Sequence, residues 1–111
     1  MSIEFAAGVF EGEGTLCHKK DGYWELKVDM TDQDVVEGFA NCLGISSQLT
    51  YQRYHPKTGD PYKRQWRARV QKTDKIFEVV CRLYPYLGER RKLKCQKFFE
   101  WYLEKKGETT N

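Results

Sequence analysis

Long apolar runs are missing from the 111-residue chain. The most extended, Phe5 to Phe10, is far too short to cross a bilayer, which argues against a membrane-spanning helix. A basic stretch followed by an apolar segment is also missing from the amino terminus, so no targeting signal and no membrane partner are expected. The compartment implied is cytoplasmic, or the nucleic-acid compartment of a bacterium, phage or organelle. Cys17, Cys42, Cys81 and Cys95 include no C-x-x-C pair, which removes support for a zinc or dithiol site and leaves reduced packing thiols as the expectation. Nor is there a large excess of charge of one sign. A net charge of +3 does not by itself point to nucleic acid, so the placement of the charges has to be read instead. With 40% hydrophobic and 32% charged residues, the chain has the composition of a globule rather than of a disordered tract, and its length suits a single domain over residues 1–111.

Ser2 to about Gly12 reads as a helix capped by Ser2, with Glu4 in its first turn. Gly8 and Gly12 lie inside it. Each costs a helix about 1 kcal/mol relative to alanine, and four residues apart they share one face, which a close helix-to-helix contact would explain. From Gly14 to Lys20 and from Tyr23 to Thr31 the pattern becomes strand-like around an Asp21-Gly22 turn. In the second strand Trp24, Leu26, Val28 and Met30 alternate with Tyr23, Glu25, Lys27 and Asp29, which predicts one core face and one wet face. Thr31-x-x-Asp34 signals the start of a second helix, with Val35, Val36, Phe39, Ala40 and Leu43 at helical spacing and Gly44 as its stop. A second hairpin is expected from Gln48–Tyr54 and Arg64–Gln71. A third helix follows from Thr73 to Tyr84, ended by Pro85, with Ile76, Phe77, Val80 and Leu83 on one stripe. A last helix runs from about Glu89 to Lys106, where Gly107 stops it, and turns Cys95, Phe98, Phe99, Tyr102 and Leu103 inward. The fold class expected is α+β, in the order αββαββα(α), with a four-stranded antiparallel sheet and helices on one face.

Two features carry chemistry. Glu11-Gly12-Glu13-Gly14 ends the glycine-bearing helix, where acidic side chains oppose the helix dipole. Either they form a solvated acidic end, or a divalent metal offsets them, because carboxylates and helix-end carbonyls are the hard ligands that Mg²⁺ prefers. The other feature is the outward row of the sheet: Lys19, Lys27, Gln48, Thr50, Gln52, Gln65, Arg67 and Arg69, mixed with Glu25 and Asp29. It is either the wet side of a sheet or a surface that reads base edges, with Arg or Lys on guanine, Gln on adenine, and Glu or Asp on cytosine.

The run Phe5-Ala6-Ala7-Gly8-Val9-Phe10-Glu11-Gly12-Glu13-Gly14-Thr15-Leu16 resembles the signature of the LAGLIDADG homing endonucleases. Leu83-Tyr84-Pro85-Tyr86-Leu87, with its basic tail Arg90-Arg91-Lys92-Lys94, resembles the segment before that family's last helix. The resemblance implies a site-specific, double-strand DNA endonuclease that hydrolyses phosphodiester bonds with Mg²⁺ or another divalent cation such as Mn²⁺, and no small-molecule cofactor. A single signature in the chain implies a homodimer on a pseudo-palindromic DNA site, with Phe5, Gly8, Val9 and Gly12 at the interface. It implies Glu13 as the catalytic metal ligand and the Gly12 carbonyl as a second ligand, with Glu11 more structural than catalytic. About Asp32 and Arg90, with Lys92 as the alternative to Arg90, are implied around the water and phosphate. Glu at both acidic positions departs from the commoner Asp. The competing readings are a non-cleaving DNA- or RNA-binding protein on the same scaffold, such as a maturase or regulator, and a small protein-interaction domain. Replacing Glu13 separates cutting from binding, and salt-dependent DNA binding excludes the last.

Overall fold

In the computed structural model the protein is described over residues 1–50, 54–61 and 63–110. The Ser2 hydroxyl accepts a hydrogen bond from Phe5 N at 3.1 Å, the N-cap geometry expected for the first helix, α1 (Ile3–Glu13). Strand β1 (Gly14–His18) follows without a loop and pairs antiparallel with β2 (Trp24–Met30). Their connection is longer than a two-residue turn. Gly22 N donates to Lys19 O, Lys19 N donates to Tyr23 O, and Gly22 sits at φ 91°, a left-handed position that glycine occupies without strain.

Helix α2 (Gln33–Leu43) is capped by Asp32, whose carboxylate accepts from Val35 N, rather than by Thr31 as the capping signal suggested. Gly44, at φ 68°, closes it. Strand β3 (Ser46–Leu49) starts two residues earlier than expected. It pairs with β4 (Trp66–Val70), and Thr50 N extends the pairing to Gln65 O. The part of the expected third strand at Tyr51, Gln52 and Arg53 lies outside the described residues. Helix α3 (Thr73–Leu83) passes through a 3-10 turn at Tyr84–Tyr86 into α4 (Glu89–Thr110).

The sheet order is β1-β2-β4-β3, all antiparallel, with the helices covering one face: the α+β architecture anticipated from the sequence. Leu16, Trp24, Leu26, Val28, Ala68 and Val70 meet Ala6, Ala7 and Phe10 of α1, Val36, Phe39, Ala40 and Leu43 of α2, Ile76, Val79, Val80 and Leu83 of α3, and Cys95 and Phe98 of α4. Each large apolar side chain fully withdrawn from water contributes roughly 1.5–3 kcal/mol, which is what holds short helices of this length to the sheet.

Several expectations need correcting. On α3, Val79 is buried, while Phe77 is only half-buried and packs between Phe99 and Tyr102. On α4, Leu103 is exposed and Trp101 takes the inward position against Phe98, Trp24 and His18. Gly107 does not stop α4, which runs on to Thr110. Of the four cysteines only Cys95 is buried; Cys17 and Cys42 are half-buried and Cys81 is exposed, and all four are free thiols. Burial pushes the Cys95 thiol up to about 11, as expected of an inert packing thiol.

Candidate nucleic-acid and metal site

The end of α1 is built around one contact. A methyl group at Gly14 would collide with the Phe10 ring, so this glycine is required for space, since its φ of −83° is open to any residue. Gly14 N donates to Phe10 O, and Arg91 of α4 reaches across to donate Nη1 to Gly14 O and Nη2 to Glu11 O. Its guanidinium lies 5.2 Å from the centroid of the Phe10 ring, and its Nε is buried without a hydrogen-bond partner. The Glu11 carboxylate points at the start of α4: a methyl on Gly88 would stand 2.6 Å from Glu11 Oε1. There it faces the positive end of the α4 dipole. The cationic compensation that an acidic helix end needs is thus supplied to Glu11 and the neighbouring carbonyls by α4. Glu13 receives none. It is exposed, and its side chain has no hydrogen bond or ion pair among the described residues. The Gly12 carbonyl beside it belongs to the last helical turn, whose carbonyls have no intrahelical donor.

On the exposed side of α1, Phe5, Gly8 and Gly12 are uncovered and Val9 is half-buried. A side chain at Gly8 or Gly12 would meet nothing within 4 Å. Within the chain, therefore, neither glycine is required for packing.

The uncovered face of the sheet carries the expected row, but its charges are joined to one another. Arg67 grips Asp29 with two hydrogen bonds, Nε to Oδ1 at 2.7 Å and Nη2 to Oδ2 at 3.1 Å, and this carboxylate raises the Arg67 pKa further above its ordinary value. Glu25 is 5% exposed, which overturns the prediction that this face is uniformly wet. It accepts from Gln71 Nε2 at 3.0 Å and stands 3.8, 4.0 and 3.8 Å from the charged nitrogens of Lys19, Lys27 and Arg69. Strand register explains the grouping, because Lys27 is opposite Arg69 and Asp29 opposite Arg67 on adjacent strands. Gln48 lies opposite Arg67 from the other side, and the Thr50 hydroxyl donates to Gln65 O. Gln52 lies outside the described residues. Glu25 and Asp29, expected as base readers, are engaged as organisers of cations.

The remaining site residues separate. Asp32 serves as the α2 cap. Arg90 is exposed and lines a groove with Gly14, Thr15 and Leu16 of β1, whereas Lys92 lies 5.3 Å from the centroid of the Tyr84 ring. Sequence reasoning put Gln71 on the outward side of its strand and Arg91 in a basic tail without giving either a place in the site, and it left out Thr15, which shares parity with the outward row. Nothing local marks the role of Arg91, which arises only when α4 meets α1. Among the described residues no group of three or more His, Cys, Asp or Glu side chains converges as a metal site, and no helix is long and apolar enough to cross a membrane.

No protein-family model matches the sequence, and no curated protein sequence matches it. Solved structures do. The chain is similar over its whole length to the LAGLIDADG meganuclease I-AabMI bound to uncleaved DNA, with a TM-score of 0.67, 19% identity and coverage of 39% of that chain. It is similar over its whole length to the homing endonuclease I-TnaI, with a TM-score of 0.66, 16% identity and coverage of 78% of that chain. Over 85% of its length it is similar to the homing endonuclease I-CvuI, solved in complex with the I-CreI target in the presence of 2 mM Mg with the DNA not cleaved. There the TM-score is 0.56, the identity 14% and the coverage 60% of that chain. The chain thus has the LAGLIDADG homing-endonuclease fold. It spans about two fifths of the I-AabMI chain.

Proposed function

We propose that the protein is a site-specific, metal-dependent double-strand DNA endonuclease of the LAGLIDADG type that acts as a homodimer on a pseudo-palindromic site. The observation that carries this reading is the free face of α1. It has two glycines that no contact inside the subunit requires, an exposed Phe5 beside them, and an unpaired carboxylate at its end. A second copy of the same helix packed against that face accounts for the glycines, which together cost the isolated subunit about 2 kcal/mol of helix propensity.

The donor chemistry fits a hard divalent cation such as Mg²⁺ or Mn²⁺. Glu13 and the Gly12 carbonyl would hold it, with a partner helix, water and phosphate supplying further oxygens. When bound, such an ion polarises the phosphate and lowers the pKa of a bound water. The chain's own residues do the rest. Arg91 and Gly14 fix where α1 ends and hence where the Glu13 carboxylate is presented. Arg90, exposed in the groove beside Gly14, is the candidate for the phosphate being cut, ahead of Lys92. Asp32 can contribute through its second carboxylate oxygen while the first caps α2. The outer sheet face, where Glu25 gathers Lys19, Lys27 and Arg69 and Asp29 grips Arg67, with Gln48, Thr50 and Gln65 alongside, is the surface for base edges and phosphates.

The test is selection of cut sites from a randomised duplex library with Mg²⁺, with a Glu13→Gln variant in parallel. The wild type should yield a recurrent, two-fold related cleavage site, and the variant should bind that duplex with similar affinity without cutting it. Equal cutting by the variant would remove Glu13 from the chemistry. Salt-sensitive binding with no cutting by either protein would leave a nucleic-acid binder on this scaffold.

A further inference from the structure

Beside the candidate metal end of α1, the first turns of α4 and the edge of β1 enclose a groove of about 460 Å³, lined by Gly14, Thr15, Arg90, Arg91, Lys94 and Lys97 among others. At 3.6 residues per turn, Arg90, Lys94 and Lys97 fall within about 60° of one another, so they form a single stripe along α4. None of the three makes an ion pair among the described residues, in contrast to Lys19, Lys27, Arg67 and Arg69 on the sheet. The Lys94 ammonium lies 5.6 Å from the centroid of the Trp24 ring, a contact that holds it beside β2 without neutralising its charge. Three unneutralised cations on one helix face repel one another, and a polyanion relieves that cost.

We infer that the Arg90–Lys94–Lys97 stripe is a docking track for the phosphate backbone of duplex DNA. It would extend the contact surface from the sheet around the β1 edge, next to Glu13. The inference rests on the proposed endonuclease reading and adds to it a second, sequence-independent surface. Spacing supports the choice of a duplex. Seven residues of helix span about 10.5 Å, and one DNA strand advances about 3.4 Å per nucleotide along the axis, so the stripe matches about three successive nucleotides. The groove also begins at Gly14, one residue after Glu13.

The experiment measures anisotropy of a mixed-sequence 30-base-pair duplex against KCl concentration, for the wild type and for Lys94→Ala with Lys97→Ala. Both side chains are exposed and lie outside the proposed catalytic group, so melting temperature serves as the folding control. The slope of log affinity against log salt should fall by about 0.9 per lost phosphate contact, so by roughly 1.8 per subunit. It should return with Lys94→Arg and Lys97→Arg, and base preference among selected sites should not change. An unchanged slope overturns the inference and leaves the endonuclease reading standing. Absence of salt-dependent duplex binding in the wild type overturns both. A slope change seen only with an RNA hairpin assigns the track to RNA and also overturns the inference.

Discussion

Arg91 shows how one side chain can hold together a region that sequence pattern describes only in pieces. Its two donors serve carbonyls on either side of the candidate metal ligands, and its guanidinium carbon lies 5.2 Å from the centroid of the Phe10 ring. Replacement by alanine removes both donors and the stacking contact. It should destabilise the fold by about 1–3 kcal/mol, seen as a melting temperature several degrees lower. Lysine should recover only part of this, since its single ammonium cannot reach both carbonyls from one fixed fork. A melting temperature within about a degree of wild type in the alanine variant would show that the clamp contributes nothing to the fold. At this scale the sequence was partly legible. The Ser2 cap and the Gly44 stop follow local rules and occur as expected. The α2 cap moved by one residue, because Asp32 and Thr31 are both competent and only the strand exit decides between them. Glu25 looked like any alternate strand residue, and its burial depends on cations brought from β1 and β4.

Among the elements, α4 departs most from its sequence pattern. Leu103 was expected inward, but five residues from Phe98 it has rotated about 140° off the buried face, and Trp101 at three residues takes the contact. Gly107 costs roughly 1 kcal/mol inside a helix, too little to end one that is already tied to α3. The tie is Asp74, whose carboxylate accepts from the Tyr102 hydroxyl at 2.7 Å and pairs with Lys106 at 3.0 Å. Those hydrogen bonds, Tyr102 first, hold the Asp74 pKa below its ordinary 3.8. A carboxylate with a depressed folded pKa stabilises the fold at pH values above its unfolded pKa, and that stability is lost as pH falls through the folded one. The melting temperature of Asp74→Asn should therefore lie below wild type at neutral pH, with the gap closing below about pH 4. A gap independent of pH would mean that the clasp acts by packing alone.

For the whole molecule, a radius of gyration of 15.5 Å exceeds the roughly 13 Å of a compact chain of this length, and the extents are 55 × 32 × 24 Å. The molecule is elongated, with the glycine-bearing face of α1 uncovered on one side and a broad sheet face on another. The order of elements and the single layer of helices were legible because hydrophobic periodicity and turn residues determine them. The proposed pairing of two copies rests on glycines that nothing inside the chain explains. Gly8→Leu makes that expectation measurable. It should raise the melting temperature of the dilute subunit, as a better helix former in open space, and shift the sedimenting species from dimer to monomer at concentrations where wild type is dimeric. A dimer that survives this substitution would require a different interface.

Under the proposed endonuclease reading, the buried Glu25 carboxylate sets a rule for retargeting the sheet to new sequences. Lys19, Lys27, Arg69 and Gln71 all converge on it, so changing one of them redistributes the hold on the others. Substitutions on this face should therefore fail to add up, and new specificities will be found by exchanging the quartet as a block rather than one letter at a time.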